Sequence, residues 1–481
     1  LFSERVQNYL SKDNPVFRFF TWLGSISFGI YLTHMYIVTF LVRNNFIYGW
    51  FVDTAVVLLS TAFLLYLLEK ILPSGITRYL GLKCCGCAAC IQRCPRQCIT
   101  MQEDSEGFGY PVADPAVCIH CGLCEKVCPV LNPSETKQPL GVYAAINPDE
   151  EIRRDSSSGG IFTLLAEKVI ADGGVVFGAR FDEHWDVVHD YCDTPDGLAA
   201  FRGSKYVQSR IGECYRQTET FLKTGRKVLF SGTSCQIAGL HRFLGKEYAG
   251  LLTVDIVCHG VPSPSVWREY VTAILTRPQE IIGKNTVLHS GDKNPTITGI
   301  AFRDKSAGWR KYRFAVRGTD ENETQDNRER IIFRETFYEN LFMGGFLKNI
   351  YLRPSCYACP AKGGKAESDI TLGDYWGIEN HHPEMDDDKG TSMVAVHTAK
   401  GEEAFRALTC KSETSTYEQA LEGNLSMEEP VAEPPLRRYF YRHLTPGNSP
   451  ETIRKVLRKT KPSWTVRIKF KLKLLLKTIS K

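Results

Sequence analysis

The chain has 481 residues, 43% of them hydrophobic and 23% charged, with a formal net charge of +5. This is a globular composition with room for about three domains, and it excludes a low-complexity or fibrous chain. Residues 454–481 hold 11 Lys/Arg and no acid. The remainder therefore carries −6 (5 less 11), which excludes a basic nucleic-acid surface across the body. Of the 17 cysteines, ten sit between residues 84 and 128, which excludes a secreted disulfide framework and implies a reducing compartment.

In chain order, two apolar runs come first. Phe19 to Val42 carries no charged residue, and Asn44 to Leu68 carries only Asp53. Each is long enough to cross a bilayer. Arg43-Asn44-Asn45 is a natural connection. Arg5, Lys12 and Arg18 precede the pair and Lys70, Arg78 and Lys83 follow it, so the positive-inside rule places both ends in the cytoplasm. The expectation for residues 1–83 is an α-helical transmembrane hairpin in the cytoplasmic membrane, with the catalytic domains facing the cytoplasm. The alternative is a buried helical hairpin. No signal-peptide cleavage site follows the first run. The chain begins at Leu1 rather than Met, which fits an N-terminally incomplete sequence. The stretch Leu23-Gly-Ser-Ile-Ser-Phe-Gly-Ile-Tyr-Leu-Thr-His34 resembles the last two spans of the membrane acyltransferase-3 family, which O-acylates sugars and surface polysaccharides. That family's catalytic His lies near a span this chain lacks. The resemblance therefore implies an anchor or remnant rather than an acyltransferase, with His34 a packing residue.

The most informative stretch follows. Cys84-x2-Cys87-x2-Cys90-x3-Cys94-Pro95 recurs as Cys118-x2-Cys121-x2-Cys124-x3-Cys128-Pro129. This double spacing is what two [4Fe–4S] cubes require: three close thiolates wrap one cube and the fourth, before proline, reaches the other. Zinc favours two isolated Cys-x2-Cys pairs instead. Cys85 and Cys98 fall outside the spacing and read as small buried thiols. Ile99-Thr-Met and Gly107-Phe-Gly-Tyr-Pro-Val112 predict a short hairpin. Together, residues 84–135 predict a small α+β, ferredoxin-like domain.

Residues 131–140 have linker composition. Gly141–Ile146 predicts a strand. Ser157-Ser158-Gly159-Gly160 then leads into a helix over about 161–171, and Val175–Phe181 predicts another strand. Small residues at a helix start suit an anion site, and equally an N-cap with a flexible loop. Gly203-Ser204-Lys205-Tyr206 suits a phosphate or a ring edge, or a solvated turn. Lys227–Phe230, Gln236–Leu244 and Leu251–Val257 predict a βαβ unit with parallel strands. Cys235 and Cys258 then lie at strand carboxyl ends, where open α/β sheets bind ligands. They could form half of a third cluster site, completed by Cys356-Tyr-Ala-Cys359. Cys192, Cys214 and Cys410 read as core thiols. The alternating tail Val466–Leu474 is a poor amphipathic helix and suits either an anionic membrane face or a solvated end.

The ordered set Ser157–Gly160, Gly203–Tyr206, Gly232-Thr-Ser-Cys-Gln236, Cys258-His-Gly-Val-Pro-Ser263, Cys356–Cys359 and Asp369-Ile-Thr-Leu-Gly-Asp-Tyr-Trp-Gly377 resembles the coenzyme F-420 hydrogenase/dehydrogenase beta-subunit family. The subgroup is the bacterial one with an N-terminal two-cluster domain. The resemblance implies an α/β flavin-binding oxidoreductase. Its parts are 136–225, 226–440 and a basic tail over 441–481. It implies a third [4Fe–4S] cluster on Cys235, Cys258, Cys356 and Cys359. FAD contacts are implied at Ser157, Ser158, Gly159, Gly160 and Lys205. Ser234 stands where the family has proline. The implied function is electron relay between clusters, FAD and a hydride carrier or substrate (coenzyme F-420, ferredoxin or NAD(P)H), with a link to surface-polysaccharide synthesis. Expected partners are a redox protein or small carrier, the cytoplasmic membrane and a sugar intermediate, with no nucleic acid. The alternative is an electron-transfer subunit that serves a partner enzyme and has no substrate of its own.

Overall fold

The computed structural model describes residues 80–282, 287–288, 296–319 and 329–460, together with Leu59. The two apolar runs, His34 and the tail from 461 onward lie outside the described residues. Among the described residues no helix is long and apolar enough to cross a membrane. The longest, Pro264–Thr276, has 13 residues, about 20 Å against the ~30 Å of a hydrocarbon core. This corrects the expected transmembrane hairpin and the cytoplasmic-membrane location. The described chain is a multidomain α/β structure with a ferredoxin-like region.

That region contains α1 (Ala89–Arg93), β1 (Ile99–Glu103), β2 (Gly109–Ala113) and α2 (Leu123–Lys126). The predicted hairpin is antiparallel, from Ile99↔Ala113 to Glu103↔Gly109. Its turn is held by Asp104 Oδ1, which accepts the N–H groups of Glu106 (3.0 Å) and Phe108 (2.9 Å). Gly107, at φ +83°, leaves no room for a side chain: a Cβ there would lie 2.0 Å from Ser265 Oγ.

The larger part runs β3 (Gly141–Ile146), α3 (Glu150–Asp155), α4 (Ile161–Ala171), β4 (Val175–Phe181), β5 (Val187–Cys192), α5 (Cys214–Lys223), β6 (Val228–Thr233), α6 (Ser234–Leu244), β7 (Leu251–Ile256) and α7 (Pro264–Thr276). It continues with β8 (Val287–Leu288), β9 (Thr296–Asp304), β10 (Arg313–Thr319), β11 (Arg330–Thr336), α8 (Leu341–Leu347), β12 (Ile370–Asp374), β13 (Ser392–Val396) and β14 (Lys411–Ser415). The main sheet has the order β14-β3-β13-β12-β7-β6-β4-β5, and a second sheet the order β8-β11-β10-β9. In the main sheet β12, β7, β6 and β4 are mutually parallel. The βαβ expectation holds because each part has its own signal. Val228–Phe230 is buried on both faces, as a central parallel strand requires. A capping box between Thr233 and Gln236 starts α6, and left-handed Gly245 ends it.

Each face of the main sheet is covered. On one, α4 sets Ile161, Leu165 and Val169 against Val176, Leu229, Val254 and Ile370. On the other, α5 and α6 share a core with Cys85, Cys87, Ala89 and Val127 of the ferredoxin-like region. The second sheet builds an aromatic core with α7 and α8 around Trp267, Phe302, Phe314 and Phe342.

The hairpin tip docks on α7. Ser263, which caps α7, donates its hydroxyl to Glu106 O at 2.6 Å. The Glu106 carboxylate pairs with buried Arg437 through Nη1 (2.9 Å) and Nη2. Glu106→Gln should lower stability by about 2 kcal/mol, less than the ~3–5 kcal/mol of a fully buried pair because Glu106 keeps 20% of its side chain exposed. Calorimetry of the holoprotein should show a lower unfolding midpoint; an unchanged midpoint would contradict this docking.

Candidate functional site

The eight spaced cysteines fall into two groups of different exposure. Cys84, Cys87, Cys90 and Cys128 line one recess of about 280 Å³, mouth included, whose walls are otherwise Leu80, Cys85, Ala88, Met101 and Val130. Cys128 comes from the second motif, so the motifs cross here. Burial, and then repulsion from Cys84, Cys128 and Cys124, pushes the Cys90 thiol up. Cys94, from the first motif, lies on the other side. Its Sγ is 3.5 Å from that of Cys98, and burial, with Cys94 and then Cys118 beside it, raises Cys98 to about 12. Cys118 and Cys124 are half-buried and Cys121 is exposed. The crossed group thus opens toward solvent, and the lined recess faces the main sheet.

Cys235 is the second residue of α6, and Cys258 follows β7 by two positions. Both lie at the carboxyl edge of the parallel strands. Cys356 sits in a 3-10 turn, Pro354–Ala358, with Cys359 at its end. Burial and then repulsion from Cys356, Cys235 and Cys359 raise Cys258. Cys356 is raised to about 12 and Cys359 to about 11, burial first and Cys235 contributing to each. Cys235 is raised first by its contact with Cys85 and then by burial. Four thiols from three distant segments therefore converge, and Cys85 links them to the inner recess. Among the described residues no three side chains are spaced for one metal ion. A cube is different: each thiolate takes a separate iron corner. The donor set suits iron, since clustered buried thiols resist ionisation unless cations stabilise the thiolates.

Backbone donors reach the sulfurs. Gly86 N–H donates to Cys84 Sγ and Val261 N–H to Cys356 Sγ, each at 3.4 Å. Such bonds tune cluster potentials. Ser234 fixes the turn where proline is expected by resemblance: its hydroxyl donates to Asp255 Oδ2 at 2.6 Å. Asp255 is buried and also accepts from Ser368 (2.8 Å) and Thr371 (2.5 Å).

The Ser157–Gly160 loop lies at the same edge. Ser158 Oγ donates to Thr391 O at 2.7 Å, and Gly159 N–H to Ser392 Oγ at 3.0 Å. A Cβ on Gly159 would stand 2.4 Å from Ala145 O, so this glycine is demanded by packing. Ser157 Oγ accepts the Ser204 N–H at 2.6 Å and ties the two loops together. The start of α4 has no side-chain cap. Two lysines flank the loop. Lys205 Nζ donates to Arg202 O (2.9 Å) and Gly203 O (3.2 Å). Lys305 Nζ donates to Arg153 O (2.7 Å), Ser158 O (2.9 Å) and Lys389 O (2.7 Å). Burial pulls both down to about 7. Their hydrogen-bond acceptors are all neutral carbonyls. Uncapped helical N–H groups beside such lysines suit a phosphate. Lys305 lies just past β9, inside Asp304-Lys305-Ser306, which reads as a solvated turn; only the fold brings it here.

Comparison with known proteins adds three matched regions. Residues 83–132 match "4Fe-4S dicluster domain". Residues 142–214 match "Coenzyme F420 hydrogenase/dehydrogenase, beta subunit N-term", and residues 225–419 match the C-terminal part of that same beta subunit. These regions leave residues 1–82 uncovered, so the acyltransferase resemblance is not shown. "Ferredoxin 7Fe" of Hydrogenibacillus schlegelii is 51% identical over 43 residues, 9% of this chain. The chain spans about half (49%) of that curated relative. Among solved structures, the F420-reducing [NiFe] hydrogenase complex from Methanosarcina barkeri, in a xenon derivative, aligns at 17% identity with a TM-score of 0.35. The alignment covers 68% of this chain and 94% of that one. The chain thus carries a [4Fe–4S]-binding dicluster domain followed by the N- and C-terminal domains of the coenzyme F420 hydrogenase/dehydrogenase beta subunit, an oxidoreductase-type family.

Proposed function

We propose that this chain is an iron–sulfur flavoprotein that relays electrons between a redox partner subunit or small carrier and a two-electron carrier of the deazaflavin or nicotinamide type. The convergence of Cys235, Cys258, Cys356 and Cys359 beside Cys85 carries the reading, because it sets a third thiol group against the dicluster domain. In this reading Cys94, Cys118, Cys121 and Cys124 hold an outer cube, and Cys84, Cys87, Cys90 and Cys128 an inner one. Cys235, Cys258, Cys356 and Cys359 hold the third. The exposed outer group is the inlet and the sheet edge the outlet.

The loop Ser157–Gly160, the start of α4, Lys205 and Lys305 receive the phosphates of FAD. Bound flavin supplies the conversion between one-electron and two-electron chemistry. The protein's part is to hold the anion on N–H groups and ammonium protons and to keep the loop closed through Ser157–Ser204.

Anaerobically purified protein should contain about 12 Fe per chain, four for each cube. Cys235→Ser with Cys258→Ser should reduce this to about 8 and leave the dicluster domain loaded. Unchanged iron content in the double variant would overturn the third site.

Flavin retention should depend on pH. Only protonated Lys205 and Lys305 attract phosphate, and burial holds both near 7 in the free protein. Affinity is therefore highest below pH 7. It should fall as pH rises through that value, by up to about tenfold per pH unit per lysine. Flavin fluorescence in ultrafiltrates at pH 6 and pH 9 measures this; equal retention would contradict the assignment.

A further inference from the structure

Four arginines are buried among the described residues: Arg153, Arg303, Arg353 and Arg437. Three have a carboxylate. Arg153 forms a fork with Asp387 at 2.7 and 2.6 Å, Arg303 meets Asp374 at 2.5 Å, and Arg437 meets Glu106. Arg353, only 1% exposed, is the exception. Its Nε donates to Cys84 O at 2.6 Å, Nη1 to Gln208 Oε1 at 2.9 Å and Nη2 to Gly109 O at 2.9 Å. Its guanidinium also lies over the Tyr110 ring at 4.4 Å. All three acceptors are neutral. A buried guanidinium without a counter-charge is costly, so its place needs an anion nearby. Cysteines lie near it: Nε donates to the main-chain carbonyl of Cys84, Cys356 is three residues on, and Cys235 lies within reach of the guanidinium's charge. A cube on four thiolates is net negative in both oxidation states.

We propose that Arg353 is a positioning residue for electron transfer, a fixed positive charge between the inner and third cubes that raises the potentials of both. The inference rests on the ligand assignment proposed above. With both cubes bound, an electron passing from the inner to the third would oxidise the first by one and reduce the second by one, with no proton moved. The added negative charge stays next to the guanidinium wherever the electron resides, so the reduced forms are favoured and the path remains level. The rigid fork holds Cys84 and Gln208 in register with the Cys356 turn, and Gln208 Nε2 in turn donates to Cys85 O at 3.1 Å.

The test is an EPR-monitored redox titration of anaerobic holoprotein, with iron counted in every sample. Arg353→Gln should shift the inner and third cubes to more negative potential and leave the outer cube unmoved. Arg353→Lys, which keeps the charge, should keep the wild-type potentials. Gln208→Glu places a carboxylate against the intact guanidinium. It should produce the same negative shift, and it serves where Arg353→Gln fails to load. Wild-type potentials in an iron-complete Arg353→Gln or Gln208→Glu protein would overturn the proposal. So would an Arg353→Lys shift as large as that of Arg353→Gln, because packing would then be the cause. A wild-type chain with about 8 Fe would sink the third-cube assignment instead. The inner-cube shift alone would then decide the role of Arg353.

Discussion

Two backbone hydrogen bonds hold the centre of this molecule. Ser263 N–H donates to Tyr351 O and Arg353 N–H to Val261 O, each at 3.0 Å, with Pro262 bridged to Leu352 between them. This short antiparallel contact joins the loop after β7 to a segment some ninety residues later. It brings Cys258 to the Cys356 turn. It also sets Ser263 where it both caps α7 and receives the ferredoxin-like hairpin, and delivers Arg353 to Cys84 O. Cluster ligation by distant segments depends on such a contact, since a cube tolerates little error in the placement of its thiolates.

Electrostatics then separates the two functional regions. The thiol groups sit in apolar surroundings that favour neutral sulfur, relieved by backbone N–H donors and one unpaired guanidinium. The Ser157–Gly160 loop has the opposite character, with two half-buried ammonium groups among carbonyls. The second sheet bridges the two. Arg303 of β9 meets Asp374 at the end of β12, Trp309 stacks on Trp376 at 4.5 Å, and Lys305 reaches Ser158. That sheet therefore acts as a cover over the carboxyl edge, held by these contacts and by apolar cores shared with β3, β4, β5 and β13.

Much of this was legible in the sequence where the signal is local. The cysteine spacing points to clusters because cube ligation needs close thiolates. The β6–α6–β7 unit is marked by an apolar run, a capping box and a terminal glycine. Signals from long-range contacts were not legible. The second sheet pairs strands across register shifts near Arg317, which blur the alternation that marks a strand. Lys305 and Arg353 are single basic residues whose partners come from distant segments, which no local pattern announces. Gly159 invites a reading as a phosphate-binding glycine, yet backbone packing against Ala145 already requires it. The long apolar runs point to a membrane hairpin and lie outside the described residues; among the described residues no helix has the length or character to span a bilayer.

The central claim is that a third cube stands close to the dicluster domain and takes electrons from it. Low-temperature EPR of fully reduced, anaerobic holoprotein tests this most directly, because neighbouring paramagnetic cubes broaden one another's signals. The account predicts an interaction-broadened spectrum that simplifies to the dicluster signal alone when Cys356 and Cys359 are both replaced by Ser. A spectrum that is the same before and after that replacement would contradict it.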